Sequence, residues 1–198
     1  MGSVGGVGTF DDAYYRRFYG PDGAHDRDRI DHLAAAVHHM AAWWGIEIRS
    51  VLDVGAGMGF WRDWYRETHP AVKVRSTDVS AHACRAWGHE QRDIAEWCPP
   101  RAFDLVICHS VLQYIDDDRI AAAVDHLAAA TRQVLYLEVP TRHDLRHIID
   151  PAGTDLDVHQ RTGASYRRLL TPHFRQVGAG FWVPRVGVPM YELEAAAR

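Results

Sequence analysis

The chain has 198 residues, 47% hydrophobic and 24% charged, with a formal net charge of −4. That balance supports one globular domain with its own core and excludes intrinsic disorder, and no apolar run reaches the roughly 18 residues of a membrane-spanning helix. The N-terminus lacks the basic flank and apolar core of a secretory signal. Cys84, Cys98 and Cys108 form no CxxC pair, which argues against a disulfide framework or a structural zinc site and places the protein in a reducing cytoplasm. Lys73 is the one lysine among 22 basic residues, and the mixed charges leave no nucleic-acid footprint.

Residues 1–9 read as a flexible arm, and residues 1–29 together as an N-terminal arm and cap on a single domain over 30–198. Gly20-Pro21-Asp22-Gly23 marks a turn. The spacing of Leu33, Val37, Met40 and Trp44 predicts an amphipathic helix over 31–44, ended by Gly45. A buried strand over 50–54 runs into a glycine loop, a helix over 60–68 stops before Pro70, and a second strand over 72–77 ends at Asp78. Ser80 caps a helix to about Trp87. A weak third strand lies near 89–92 and a strong buried one over 103–108. A helix over 118–131 presents Ile120, Val124, Leu127 and Thr131 on one face, with Asp116 to Asp118 at its N-terminus. A strand follows over 134–139. Residues 140–170 are polar and irregular with some helix. Residues 174–183 and 188–193 read as two closing strands joined through Pro184 and Gly187. Strands alternating with helices imply an α/β fold, a mostly parallel sheet covered on both faces, with its ligands at the carboxyl ends of the strands.

Three features stand at consecutive strand ends. Asp53-Val54-Gly55-Ala56-Gly57-Met58-Gly59 lets the backbone approach a ligand closely. Asp78, 23 residues after Gly55, can accept both hydroxyls of a ribose. Asp93-Ile94 offers an acceptor for an adenine amino group beside an apolar contact. Each has a plainer reading: a tight turn, a helix cap, a surface acid. A nicotinamide oxidoreductase shares the loop and the acid, but its GxGxxG fingerprint would place glycine where Phe60 stands. Asp53, inside the strand, suits a ligand carrying an amino group and a cation.

The segments VLDVGAGMGFW (51–61), STDVS (76–80), RDI (92–94) and FDLVICHSVLQYIDD (103–117) resemble the class I S-adenosylmethionine-dependent methyltransferases, in order and spacing, over about residues 30–140. The resemblance implies a Rossmann-like, doubly wound, seven-stranded, mostly parallel sheet with an antiparallel closing strand. It implies S-adenosylmethionine as cofactor. Asp53, Gly55, Ala56 and Gly57 would lie at its methionine end, Asp78 and Val79 at the ribose, and Asp93 and Ile94 at adenine. His109 and Ser110 would lie near the sulfonium, with Tyr19, or Tyr14 or Tyr15, folded over it.

Methyl transfer to a hydroxyl needs alignment and a proton acceptor, and neutral histidine is suited to that work. His109 ends the fourth strand. His143 and His147 follow the fifth, in the acceptor-facing loop over 140–170. Either His143 or His109 is the expected base, oriented by Asp144 or Glu138; a packing or surface role is the alternative for each. His38 and His39 read as structural. No metal site is assigned, but the HxxxH spacing makes His143, Asp144 and His147 the candidate ligands should a divalent ion be used, with Mg2+ favoured. The Asn-Pro-Pro-Tyr element of many amine methyltransferases is absent after the fourth strand, where His109-Ser110-Val111-Leu112 stands. The expected acceptor is a small hydroxylated molecule, a sugar or related metabolite, with no nucleic acid or membrane partner and with a homodimer as the default assembly. A faint resemblance to bacterial sugar O-methyltransferases of methylmannose oligosaccharides points the same way. A small-molecule N-methyltransferase and a catalytically silent cofactor-binding regulator are the alternatives.

Overall fold

The structure is a computed structural model that describes residues 10–19 and 26–195. The first part of the arm, residues 1–9, and the turn at Gly20-Pro21-Asp22-Gly23 lie outside the described residues. In chain order the elements are α1 (Asp12–Phe18), α2 (Arg27–Trp43), β1 (Ser50–Val54), α3 (Phe60–Thr68), β2 (Lys73–Asp78), α4 (Ala81–Trp87), β3 (Glu90–Gln91) and β4 (Phe103–His109). There follow α5 (Ile120–Ala130), β5 (Thr131–Glu138), α6 (Arg142–His147), α7 (Gly163–Leu170), β6 (Phe174–Gly178) and β7 (Phe181–Pro184). No described helix is long and apolar enough to cross a membrane.

The seven strands form one sheet in the order β3-β2-β1-β4-β5-β7-β6. β1 to β5 are parallel, and β7 runs antiparallel between β5 and β6. Alternation along the strands divides the core. Leu52, Val106 and Leu135 face a layer with α5 and α7, while Val51, Leu105, Ile107 and Val134 face one with α2 and α3. Strand order reverses between β1 and β4, so the loops after them diverge and open a crevice at their carboxyl ends.

Three boundaries differ from the sequence expectation. α2 starts at Arg27 because Asp26 caps it, accepting the amides of Asp28 at 2.7 Å and Arg29 at 3.3 Å. Its buried stripe is Ile30, Ala34, Val37 and Ala41, while Met40 stays exposed; alanines let the helix lie close to the sheet. β5 begins at Thr131 without an intervening loop. The Thr131 hydroxyl donates to the Leu127 carbonyl at 2.7 Å, and Thr131 pairs directly with Phe103. The closing strands are a correction. The single strand expected over 174–183 is a hairpin, β6 and β7, and 188–193 is not a strand. Ala179 and Gly180 have φ of 47° and 83°, the positive values a two-residue hairpin turn requires. At Gly180 a Cβ would come within 2.7 Å of the Tyr136 ring.

Candidate active site

The crevice holds a cavity of about 580 Å³. Its floor is the glycine loop. Gly55 and Gly57 have φ of 66° and 55°, and a Cβ on Gly55 would run into the Val111 side chain. The loop is held from both sides. The Ala56 amide donates to the Thr77 carbonyl at 3.0 Å, and the Gly57 amide to Asp78 Oδ2 at 2.9 Å.

Asp53 lies beneath this loop, 2% exposed, against the first turn of α3. Its Oδ2 has no hydrogen-bond partner. Burial pushes its carboxyl up to about 7; the Arg62 guanidinium opposes that shift and Asp78 adds to it. A buried carboxylate oxygen without a donor is costly unless a ligand supplies one.

Asp78 forms the next part of the wall. Its Oδ1 accepts the Ser80 amide at 2.8 Å, and burial raises its carboxyl above the ordinary range against three backbone amides. Val79 beside it is half exposed and lines the cavity, as do Asp93 and buried Ile94. Asp93 accepts the Ala95 amide at 2.8 Å and pairs with Arg119 at 2.6 Å. Ser110 completes the far side with a φ of 58°; its amide donates to the Glu138 carbonyl at 2.8 Å.

The arm closes the cavity from above. The Ser80 hydroxyl donates to the Phe10 carbonyl at 2.6 Å. Tyr14 and Tyr114 share a hydroxyl hydrogen bond of 2.9 Å, and Phe10 meets the Tyr114 ring edge-on at 4.9 Å. Tyr15 packs on His82 and Trp87. The Tyr19 hydroxyl stands 2.9 Å from where a Cβ on Gly57 would be, and burial next to Tyr14, Tyr15, Asp78 and Asp53 drives it well above the usual phenol range.

His109 is elsewhere. It does not line the cavity but turns under α3, where the Trp61 indole donates to its Nδ1 at 3.2 Å. The neutral ring therefore carries its proton on Nε2, which lies 3.4 Å from Glu138 Oε1. His109 and Glu138 are direct partners in the β4–β5 register, and Tyr136, two residues before Glu138, donates its hydroxyl to Oε2 at 2.9 Å.

The residues after β5 are not brought to the cavity. His143 and His147 are exposed, with ring centroids 4.8 Å apart on one face of α6. Asp144 is taken up by a capping box, accepting the amide and hydroxyl of Thr141 at 2.8 and 2.7 Å. Among the described residues no group of three or more His, Cys, Asp or Glu is arranged to hold a metal ion.

The sequence reading missed two buried supports of the glycine loop. His89 Nε2 lies 3.0 Å from the Gly57 carbonyl, and its Nδ1 2.8 Å from the Ser76 hydroxyl. Arg62 packs under Gly59, 3.2 Å from His89 Nδ1, and binds Asp63 and the Trp87 carbonyl. A carbonyl only accepts, so His89 donates from Nε2, and burial lowers its pKa in keeping with that neutral form. The signal was a charged residue, Arg62, on the apolar face of α3. Tyr114 and Arg119 were also missed.

A family model described as "Methyltransferase domain" matches residues 25–185. A sequence comparison with curated proteins finds no match. Among solved structures, a SAM-dependent methyltransferase from Archaeoglobus fulgidus superposes with a TM-score of 0.56 at 16% identity, over 82% of this chain and 73% of that one. The N-methyltransferase NodS from Bradyrhizobium japonicum WM9, in complex with S-adenosyl-L-homocysteine, gives 0.57 at 14% identity, over 90% of this chain and 100% of that one. The plantazolicin methyltransferase BpumL, also in complex with that product, gives 0.61 at 15% identity, over 82% and 70%. The cavity fits the cofactor these proteins share: an unpartnered buried carboxylate oxygen awaits a donor, and the floor admits no side chain at Gly55. The chain belongs to the methyltransferase-domain family and is a class I, S-adenosylmethionine-dependent methyltransferase.

Proposed function

We propose that the protein methylates a hydroxyl of a small polar acceptor, a sugar or related metabolite, with Glu138 as the proton acceptor. When bound, S-adenosylmethionine supplies a methyl group on a cationic sulfur, which leaves as a neutral thioether once the acceptor oxygen takes the methyl. Asp53 would hold its amino group, Asp78 its ribose, and Asp93 with Ile94 its adenine. Tyr19 and the arm would exclude water above it.

Glu138, like His109, is not among the residues lining the cavity; the observation that carries the reading is its carboxylate at the end of β5, gripped by the Tyr136 hydroxyl at 2.9 Å and faced by His109 Nε2 at 3.4 Å. As the carbon–oxygen bond forms, the acceptor proton becomes strongly acidic, so a carboxylate suffices to take it. His109, with Nδ1 occupied by Trp61, has no lone pair to offer. It serves as a positioning residue, and the base moves from histidine to its carboxylate partner. The cavity of about 580 Å³ favours a small acceptor.

The test is a methyl-transfer screen over sugars, polyols and matched amines, followed by Glu138→Gln on the best substrate. Glu138→Gln is expected to lower kcat by roughly 10²–10³ with unchanged S-adenosylhomocysteine affinity, whereas His143→Ala retains full turnover. Transfer to amines alone, or undiminished turnover by Glu138→Gln, overturns the proposal.

A further inference from the structure

A second cavity, of about 390 Å³, lies between α5, α6 and α7 and has fewer carboxylates than the first to offset its arginines. The cofactor cavity carries both signs, lined by Asp11, Asp78 and Asp93 and by Arg85, Arg92 and Arg119, with Asp53 beneath. The second is lined by Arg142, Arg161 and Arg168, with Asp117 as its one carboxylate. His159, also in the lining, is paired with Asp116 at 3.1 Å.

Three guanidiniums gathered in a chain of net charge −4 need a reason. Arg161 has a structural one. It is 8% exposed, binds Asp117 through Nε at 2.8 Å, and donates to the Leu112 and Ile115 carbonyls at 3.0 and 2.5 Å. The other two are less engaged. Arg142 donates from Nε to the Gln160 carbonyl at 3.0 Å, leaving its terminal nitrogens unused, and Arg168 makes no hydrogen bond or ion pair among the described residues. The backbone beneath them is pinned: the His159 amide donates to the Gln113 carbonyl at 2.8 Å, and the Arg142 amide to the Arg161 carbonyl at 2.7 Å.

We infer that this cavity binds a phosphoryl group, held between the free forks of Arg142 and Arg168 with Arg161 at its base. Planar forks match the tetrahedral oxyanion, and the volume exceeds that of a bare phosphate, leaving room for the molecule that bears it. The ligand is either a phosphorylated acceptor or a free phosphate-bearing effector. The second route has a physical basis. Arg161 grips Leu112 and Ile115, and Tyr114 and Ile115 wall the cofactor cavity, so an anion competing with Asp117 for Arg161 acts on that wall. The inference does not depend on hydroxyl methylation.

The experiment is calorimetric titration of the full chain, saturated with S-adenosylhomocysteine, with inorganic pyrophosphate and phosphate. The wild type is expected to bind, and the double variant Arg142→Ala/Arg168→Ala to bind about tenfold or more weakly, while its melting temperature and its S-adenosylhomocysteine affinity without phosphate stay unchanged. Pyrophosphate that competes with the acceptor assigns the site to a phosphorylated acceptor. Pyrophosphate that changes S-adenosylhomocysteine affinity assigns it to an effector. No binding by the wild type, equal binding by the double variant, or binding that does neither overturns the inference.

Discussion

On the proposed placement of the cofactor, Asp53 faces opposite demands in the cofactor-free and cofactor-bound protein. Burial holds its carboxyl up to about 7, so below that pH the cofactor-free protein favours the neutral form. Its contribution to stability is full below the ordinary carboxylate range and is lost as pH rises through about 7. An ammonium group binds the ionised form, so binding below that pH must expel a proton. S-adenosylhomocysteine affinity is therefore expected to rise with pH, by up to about tenfold per unit below about 7, and then level off. Calorimetry in buffers of differing ionisation enthalpy reads the proton directly. An affinity already flat with pH in the wild type, or a slope that survives in Asp53→Asn, would sink this account.

Asp53, Gly55, Gly57 and Asp78 were legible because their reason is local: a strand, a tight turn and a helix start follow one another in the chain. His109 and Glu138 were legible as chemistry but not as roles. On the proposed reading, which of them takes a proton depends on Trp61, 48 residues away, occupying one ring nitrogen. Asp144 has a local use in the fold. Its position three residues after Thr141 serves a capping box, a local use that competes with any catalytic one.

Among the elements, α1 depends most on partners outside itself. Seven residues do not sustain a helix in water, so its place over the cavity rests on contacts with Ser80, Tyr114, His82 and Trp87. With Tyr19 lying against Gly57, the proposed placement of the cofactor predicts that its exchange requires the arm to move. Tyr114→Phe removes the hydroxyl bond to Tyr14 and leaves the ring in place. It is expected to speed S-adenosylhomocysteine release severalfold, by about 1 kcal/mol of lost latch, with little change in melting temperature. Stopped-flow release kinetics check it; an unchanged off-rate would show that the arm is not held there. The hairpin of β6 and β7 carries the other lesson at this scale. Its signal was Gly178-Ala179-Gly180, which an apolar strand pattern on either side concealed.

For the whole molecule, function and stability occupy opposite poles of the sheet. At the amino ends of β1 and β4, buried Asp104 accepts the Arg49 and Ser50 amides at 3.0 and 2.9 Å and the Ser50 hydroxyl at 2.9 Å, with Arg132 at 2.8 Å. Burial alone would raise its carboxyl, but these donors together with Gln133 outweigh it and hold the carboxyl below the usual range. Its contribution is thus present above the ordinary carboxylate pKa and lost as pH falls through the depressed value. Asp104→Asn is expected to lower stability by about 2 kcal/mol, measured by urea denaturation, while the folded protein binds S-adenosylhomocysteine as before. A loss of affinity without a loss of stability would contradict this separation.

By itself the sequence determined the family, the alternation of strands and helices, and the glycine loop with its acids at the strand ends. These depend on periodicity and on turns between neighbours in the chain. Only the tertiary structure decided the His109–Glu138 pairing, the His89 and Arg62 supports under the loop, the docking of the arm, and the convergence of Arg142, Arg161 and Arg168. Each of those depends on strand register or on the packing of distant segments. A shift of one residue in register turns a side chain to the other face of the sheet, and nothing in the local pattern reports it.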